Sequence, residues 1–358
     1  MLDEGLMQMP VYGVAREQKR RLLFEIICQL QHHHAAHCPA YARLLEAFSG
    51  ETDECPDELE SFFALAARLF KHYKLKSIEN NELFKTLRSS GTSGDPSTIY
   101  LDRYTSTLQS KALVRIMQHW LGKQRLPMLI ADHPGVLKDR HAYSARGAGI
   151  QGMMFLGRDH TYALNEDMSF NHAAVEQFTA KHGGGPVLIF GFTFMVWEYF
   201  IAPLIDSGLC LDEAILLHGG GWKRLAERAV DATAFRARMA QAGIRRVHNY
   251  YGMVEQVGSV FVECEEGHLH APLFSDVIIR DLQTGGVKAQ GEEGVIELLS
   301  ILPWSYPGHV LLTEDRGRLL GEDDCPCGRL GRYFEVAGRI PQAEARGCSD
   351  TFIGEVAR

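Results

Sequence analysis

The run Ser89-Ser90-Gly91-Thr92-Ser93-Gly94-Asp95-Pro96-Ser97 concentrates hydroxyls and glycines in one short segment. Glycines let a backbone take positive φ and bring its N–H groups against phosphate oxygens, and Ser and Thr hydroxyls add uncharged donors. A Walker A loop needs Gly-Lys-Ser/Thr leading into a helix, but Ser97-Thr98-Ile99-Tyr100-Leu101 reads as a β-branched, aromatic strand. The spacing therefore predicts a strand-loop-strand nucleotide loop in company with other motifs, whereas taken alone it reads first as an ordinary Ser/Gly turn. A second set is metal-ligating: Cys264 and His270 flank a short acidic turn, and Cys325-Pro326-Cys327-Gly328 follows later. Three thiolates and an imidazole make a closed, structural zinc set; the bland alternative is a hairpin with an ordinary Cys and a solvated His. His33 and His37 have the i, i+4 spacing that can hold a metal, although histidines also suit the last turn of a helix through its dipole. Cys348, beside Arg346 and Gly347, is a thiol whose ionisation nearby arginines would favour; as a bare residue it reads first as a buried or frayed C-terminal Cys.

These residues need a scaffold. Leu22, Leu23, Ile26, Ile27 and Leu30 recur at helical spacing, which predicts an amphipathic helix over residues 14 to 35 stopped by Pro39, with a second helix over 41 to 48. From residue 85 onward, apolar runs of strand length (128 to 131, 187 to 190, 215 to 217 and 295 to 299) alternate with helical stretches at 105 to 121, 171 to 181, 193 to 206 and 223 to 242. Alternation of this kind predicts α/β layers. The division expected is a helical segment over 1–84, a core over 85–338 and a short tail over 339–358.

Composition is that of a globular enzyme. The chain has 358 residues, 46% hydrophobic and 23% charged, enough for a large core. A net charge of −8 without Lys/Arg runs argues against nucleic acid as a partner. No charged-then-apolar leader and no apolar run near the ~18 residues of a membrane span is present, so a cytoplasmic location is expected. In that compartment the eight cysteines are expected as thiols and metal ligands rather than a disulfide framework.

The hydroxyl loop resembles the signature of the adenylate-forming superfamily, and other segments follow in that superfamily's order. Tyr250-Tyr251-Gly252-Met253-Val254-Glu255 is similar to its aromatic-Gly-x-Thr-Glu motif, with Val254 in place of the Thr; Thr313-Glu314-Asp315-Arg316-Gly317 and Gly338-Arg339 are similar to its ribose and hinge motifs. His218-Gly219-Gly220-Gly221-Trp222-Lys223, Ser144-Ala145-Arg146-Gly147-Ala148-Gly149 and the segment around Cys348 most resemble the acyl-protein synthetases of bacterial-luminescence fatty-acid reductase complexes, with phenylacetate-CoA ligases the next relatives.

The resemblance implies an acyl-CoA synthetase-like large N-terminal domain with a truncated C-terminal one, using ATP and Mg2+. It implies nucleotide contacts from Ser89, Ser90, Gly91, Thr92, Ser93, Gly94, Gly219, Gly220, Tyr250, Tyr251, Gly252, Asp315 and Arg339, with Glu255 holding magnesium. Relatives carry a lysine on the C-terminal domain, but no lysine follows Lys288 here, so either Lys223 or Arg339 supplies the cation or the first half-reaction runs slowly without one. Cys348 is implied as the acyl carrier, and the phenylacetate branch has a similar zinc set at Cys264, His270, Cys325 and Cys327. The implied reaction converts a carboxylic, in that family fatty, acid to an acyl-adenylate and then to an enzyme thioester for a partner acyl reductase. Transfer to coenzyme A, or a non-catalytic adenylate-binding scaffold, are the alternatives, and a homo-oligomer is left open.

Overall fold

The computed structural model describes residues 5–49, 54–89, 96–137, 145–220 and 230–340. It divides into two compact units.

One unit comprises Met117–Tyr251 and Val262–Gly267. Its five strands Leu126–Ile130, Gly157–Tyr162, Val187–Phe192, Ala214–Gly219 and Arg246–Tyr251 are all parallel. Counted along the chain, they lie side by side in the order 2-1-3-4-5. The first, third and fourth are almost wholly buried, as strands covered by helices on both faces must be. Their side chains join Val175, Phe178, Phe200, Phe235 and Met239 from the connecting helices in one core. Helices His172–His182 and Ala232–Ala240 start on side-chain caps: Asn171 accepts from the Ala174 N–H and Asp231 from the Ala234 N–H.

The helix expected over 193 to 206 is broken. A turn at Thr193–Met195 passes into a π-helical stretch, Val196–Phe200, and then into Ile201–Asp206. Pro203 has no N–H to give an α-helical ladder, and a wider turn is one way to absorb that loss.

The other unit comprises Met1–Ile116, Gly252–Phe261 and His268–Arg358. Strands Ser275–Arg280, Glu293–Ser300, Val310–Glu322 and Arg332–Arg339 form an antiparallel meander, and Leu269–His270 pairs with the last of them. Two helices, Arg16–His37 and Pro39–Ser49, open this unit. Pro39 begins the second helix, where its missing N–H costs nothing. Strands Lys85–Arg88 and Thr98–Leu101 pair as an antiparallel hairpin, as the strand-loop-strand reading requires.

One expectation needs correction. Cys28 and Cys55 form a disulfide, because the long helix brings their Cα atoms to 5.7 Å, within the span such a bond bridges. His33 and His37 stand in the last turns of the first helix, with His33 Nε2 2.9 Å from the Trp304 carbonyl and His37 Nδ1 2.8 Å from the His33 carbonyl. No described helix is long and apolar enough to cross a membrane.

Candidate nucleotide residues and metal centre

The hairpin fixes both ends of the hydroxyl-rich loop. The Ser89 N–H donates to the Ser97 carbonyl at 3.0 Å, and the Ser97 N–H donates back to the Ser89 hydroxyl at 2.8 Å. Ser90, Gly91, Thr92, Ser93 and Gly94 lie outside the described residues. In the same unit Glu255 sits on the single turn Val254–Gln256, 7% exposed. Burial pushes its carboxyl up, while the Ser97 hydroxyl, which finds no other partner among the described residues, and the charge of Lys71 pull it back. Among the described residues Glu255 makes no salt bridge. A buried carboxylate beside a hydroxyl and without a salt bridge among the described residues is a donor set of the oxygen type that suits Mg2+.

Asp315 and Arg339 face each other across neighbouring strands as registered partners. Arg339 Nε donates to Asp315 Oδ1 at 3.3 Å, and the Asp315 N–H donates to the Thr313 hydroxyl at 3.1 Å. Thr313 is itself anchored to the Ile296 carbonyl at 2.7 Å, so a neighbouring strand sets where Asp315 stands.

The parallel unit carries the remaining described candidates at the C-terminal ends of its strands. Gly219 must be glycine because a Cβ there would stand 2.5 Å from the Tyr250 ring; Gly220 has φ +78° and would bring a Cβ to 3.0 Å from Phe192. Tyr250 stacks on Phe190 with centroids 6.3 Å apart, and desolvation pushes its hydroxyl up to about 12. The turn is braced below by Thr193, whose hydroxyl donates to the Gly219 carbonyl at 3.3 Å and lies 3.0 Å from His218 Nδ1. Burial pushes the His218 imidazole down to about 3, so it stands neutral. The run Tyr250 to Glu255 passes from this unit into the other, and Gly252 is the first residue after the change. Lys223 and Cys348 lie outside the described residues.

Of the sulfur-rich candidates, His270, Cys325 and Cys327 lie in one unit, their ligand atoms within 4.8 Å of one another and His270 Nε2 3.3 Å from Cys327 Sγ, while Cys264 belongs to the other unit. Zinc–ligand bonds of about 2.0 to 2.3 Å place tetrahedral neighbours roughly 3.5 to 3.8 Å apart, so these three need little change to close on an ion. His268 stays outside the set: it stacks on Tyr333 and lies 3.3 Å from Cys325 Sγ.

Sequence reasoning missed two groups. Asp132 is 1% exposed two residues beyond strand Leu126–Ile130 and pairs with Arg146; only its place behind a fully apolar run could have marked it. His34 and His309 stack at 5.0 Å and are both buried, a contact between distant residues that no local pattern announces.

A parallel 2-1-3-4-5 layer, an antiparallel meander and glycine-rich turns at strand ends make a mixed α/β fold that is shared with CoA ligases of known structure. The chain matches a 2-hydroxyisobutyryl-CoA ligase in an open conformation with 2-HIB-AMP and CoA over 93% of its own length and 77% of that chain, with a TM-score of 0.65 and 14% identity. Against that ligase in the postadenylation state with 2-HIB-AMP the values are 91%, 69%, 0.63 and 14%, and against its thioesterification-state complex 93%, 70%, 0.62 and 15%. At such identities the likeness is one of fold. No curated protein matches the chain. Residues 2–356 match the family described as acyl-protein synthetase, LuxE, and the chain belongs to that family. It is an ATP-dependent, AMP-forming acid ligase that activates an acyl group.

Proposed function

We propose that the protein joins a carboxylic acid, of the fatty class, to AMP and then passes the acyl group to its own Cys348 as a thioester for a partner acyl reductase. The observation that carries the first half is Glu255, a buried carboxylate beside the Ser97 hydroxyl with no salt bridge among the described residues. Magnesium held there would neutralise charge developing on the leaving pyrophosphate. Ser89, Ser90, Thr92 and Ser93 with the N–H groups of Gly91 and Gly94 would hold the phosphates, and Asp315, steadied by Arg339, would accept from the ribose hydroxyls. Tyr250, Tyr251 and Gly252 with Gly219 and Gly220 would bound the base. Lys223 or Arg339 would supply the cation near the reacting carboxylate.

The carboxylate oxygen attacks the α-phosphorus and the bond to the β-phosphate oxygen breaks, releasing pyrophosphate. The Cys348 thiolate then attacks the acyl carbon and AMP leaves with the bonding pair of its phosphate oxygen. Cys264, His270, Cys325 and Cys327 would hold a structural zinc that takes no part in this exchange of bonds. Family membership and the Cys-bearing tail support the carrier step and a reductase partner, in a cytoplasmic setting.

The test is carboxylate-dependent exchange of labelled pyrophosphate into ATP, followed by covalent labelling with radioactive fatty acid. Exchange and a hydroxylamine-sensitive label that vanishes in Cys348→Ser are expected. Absence of exchange with every acid tried would overturn the adenylation. A label-free wild type that forms acyl-CoA when coenzyme A is added would replace the carrier step with a ligase.

A further inference from the structure

In a parallel sheet ordered 2-1-3-4-5 the connections leave strands 1 and 3 toward opposite faces, opening a crevice beyond their C-terminal ends where ligands of such sheets bind. Here those strands are Leu126–Ile130 and Val187–Phe192, tied at their ends by the Ala131 N–H donating to the Phe190 carbonyl at 2.8 Å. The residues at that place are Asp132, Arg146 and Phe192.

Asp132 is almost wholly buried, and desolvation raises its carboxyl although the His133 N–H and Arg146 lower it. Arg146, on helix Ala145–Met153, sets Nε 3.1 Å from Asp132 Oδ2 and one Nη 3.5 Å from the Met195 sulfur. Its side chain remains 26% exposed. A guanidinium has five N–H donors, and among the described residues these two partners leave several unused. An ion pair half sunk in a protein gains little net stability, because desolvation offsets the attraction. One held at a switch point does something else: it fixes a cation with an outward donor face.

The apolar neighbour is equally fixed. The Phe192 ring lies against two glycines, since a Cβ on Gly149 would come within 2.8 Å of it and one on Gly220 within 3.0 Å. A charged fork beside a seated aromatic ring matches a molecule with an anionic head and an apolar body.

We propose that this crevice binds the acid substrate, with Arg146 pairing with its carboxylate and Asp132 positioning Arg146. The assignment rests on the acid-activating reading above and names the residue that would recognise the acid. Arg146 lies in a segment already singled out in the sequence, but no role attached to it there.

Equilibrium binding without ATP tests this subsite alone. The probes are unbranched monocarboxylates from acetate to tetradecanoate, each with its primary alcohol as control. Arg146→Gln should weaken the best-bound acid about tenfold or more, the size of a lost charge-assisted hydrogen bond, and leave the alcohol's affinity unchanged. In pyrophosphate exchange the same variant should raise KM for the acid and not for ATP, and Arg146→Lys should recover part of the loss. Equal acid affinity in Arg146→Gln and wild type, equal weakening of acid and alcohol, or no acid bound by the wild type would overturn the assignment. Should Arg146→Gln fail to fold, Asp132→Asn decides: a raised acid KM with unchanged ATP KM supports it, and an unchanged acid KM overturns it. A wild type that binds acid through Arg146 but exchanges no pyrophosphate would defeat the adenylation and leave this site standing.

Discussion

Acid should destabilise this protein through His309, and the size of the effect follows from its surroundings. The ring is 1% exposed, stacked on His34, with Nε2 3.2 Å from the Tyr41 hydroxyl. Desolvation, reinforced by His33, pushes its imidazole down to about 3. The unfolded chain takes up a proton near pH 6.5 and the folded one does not, so stability is fully present above that pH and falls as pH drops toward the folded value. At pH 5 the chain is about 1.5 units into this window, which at about 1.4 kcal/mol per unit gives a loss of about 2 kcal/mol from His309. Glu255 and Glu297, whose carboxyls burial raises, act in the opposite sense, so the comparison must be between proteins that share them. His309→Gln removes the titration and keeps a polar group. Urea unfolding at pH 8 and pH 5, followed by tryptophan fluorescence, should show wild type losing about 2 kcal/mol more than the variant across that interval. Identical pH dependence in the two proteins would refute the reasoning, whatever their absolute stabilities.

Replacing Glu255 by Gln should slow magnesium-dependent pyrophosphate exchange about 100-fold, equal to about 2.7 kcal/mol of barrier, and unchanged exchange would remove it from the reaction. Gly219→Ala must displace the Tyr250 ring and should raise KM for ATP by up to about tenfold, the scale of one lost aromatic contact, which steady-state kinetics would read. Elemental analysis should find about one zinc per chain, lost when Cys325 and Cys327 both become Ser; zinc retained in that variant would end the assignment. Cys348→Ser should keep exchange and lose the thioester label, and a persisting thioester would assign the carrier to another cysteine.

The parallel layer was legible because its strands are buried on two faces: Met128, Leu129 and Ile130 or Val187 to Phe190 leave no polar side to confuse the reading. The hairpin around the hydroxyl loop was legible for a different reason, the β-branched run that starts at Thr98. The zinc candidates are picked out by ligand type, but His270 is named through the resemblance to the phenylacetate branch, because ligand type alone does not separate it from His268. What escaped was set by distance or by a single backbone defect. His34 meets His309 only after both helices and meander have folded, and Pro203 turns an apparent helix into a π-helical stretch. Asp132 carried no local mark, because the strand order that makes its position matter is a property of the whole sheet.

The bond between Cys28 and Cys55 reaches into how this protein is handled. Its partners are 27 residues apart, and a cross-link of that span lowers the entropy of the unfolded chain by an amount worth about 3.5 kcal/mol at room temperature. Dithiothreitol in a storage buffer would open it, and the same reagent would strip an acyl group from a cysteine thioester by exchange. Preparations kept with and without thiols are therefore two materials, one tethered and, if the proposed carrier step operates, able to retain an acyl group, the other untethered and without it.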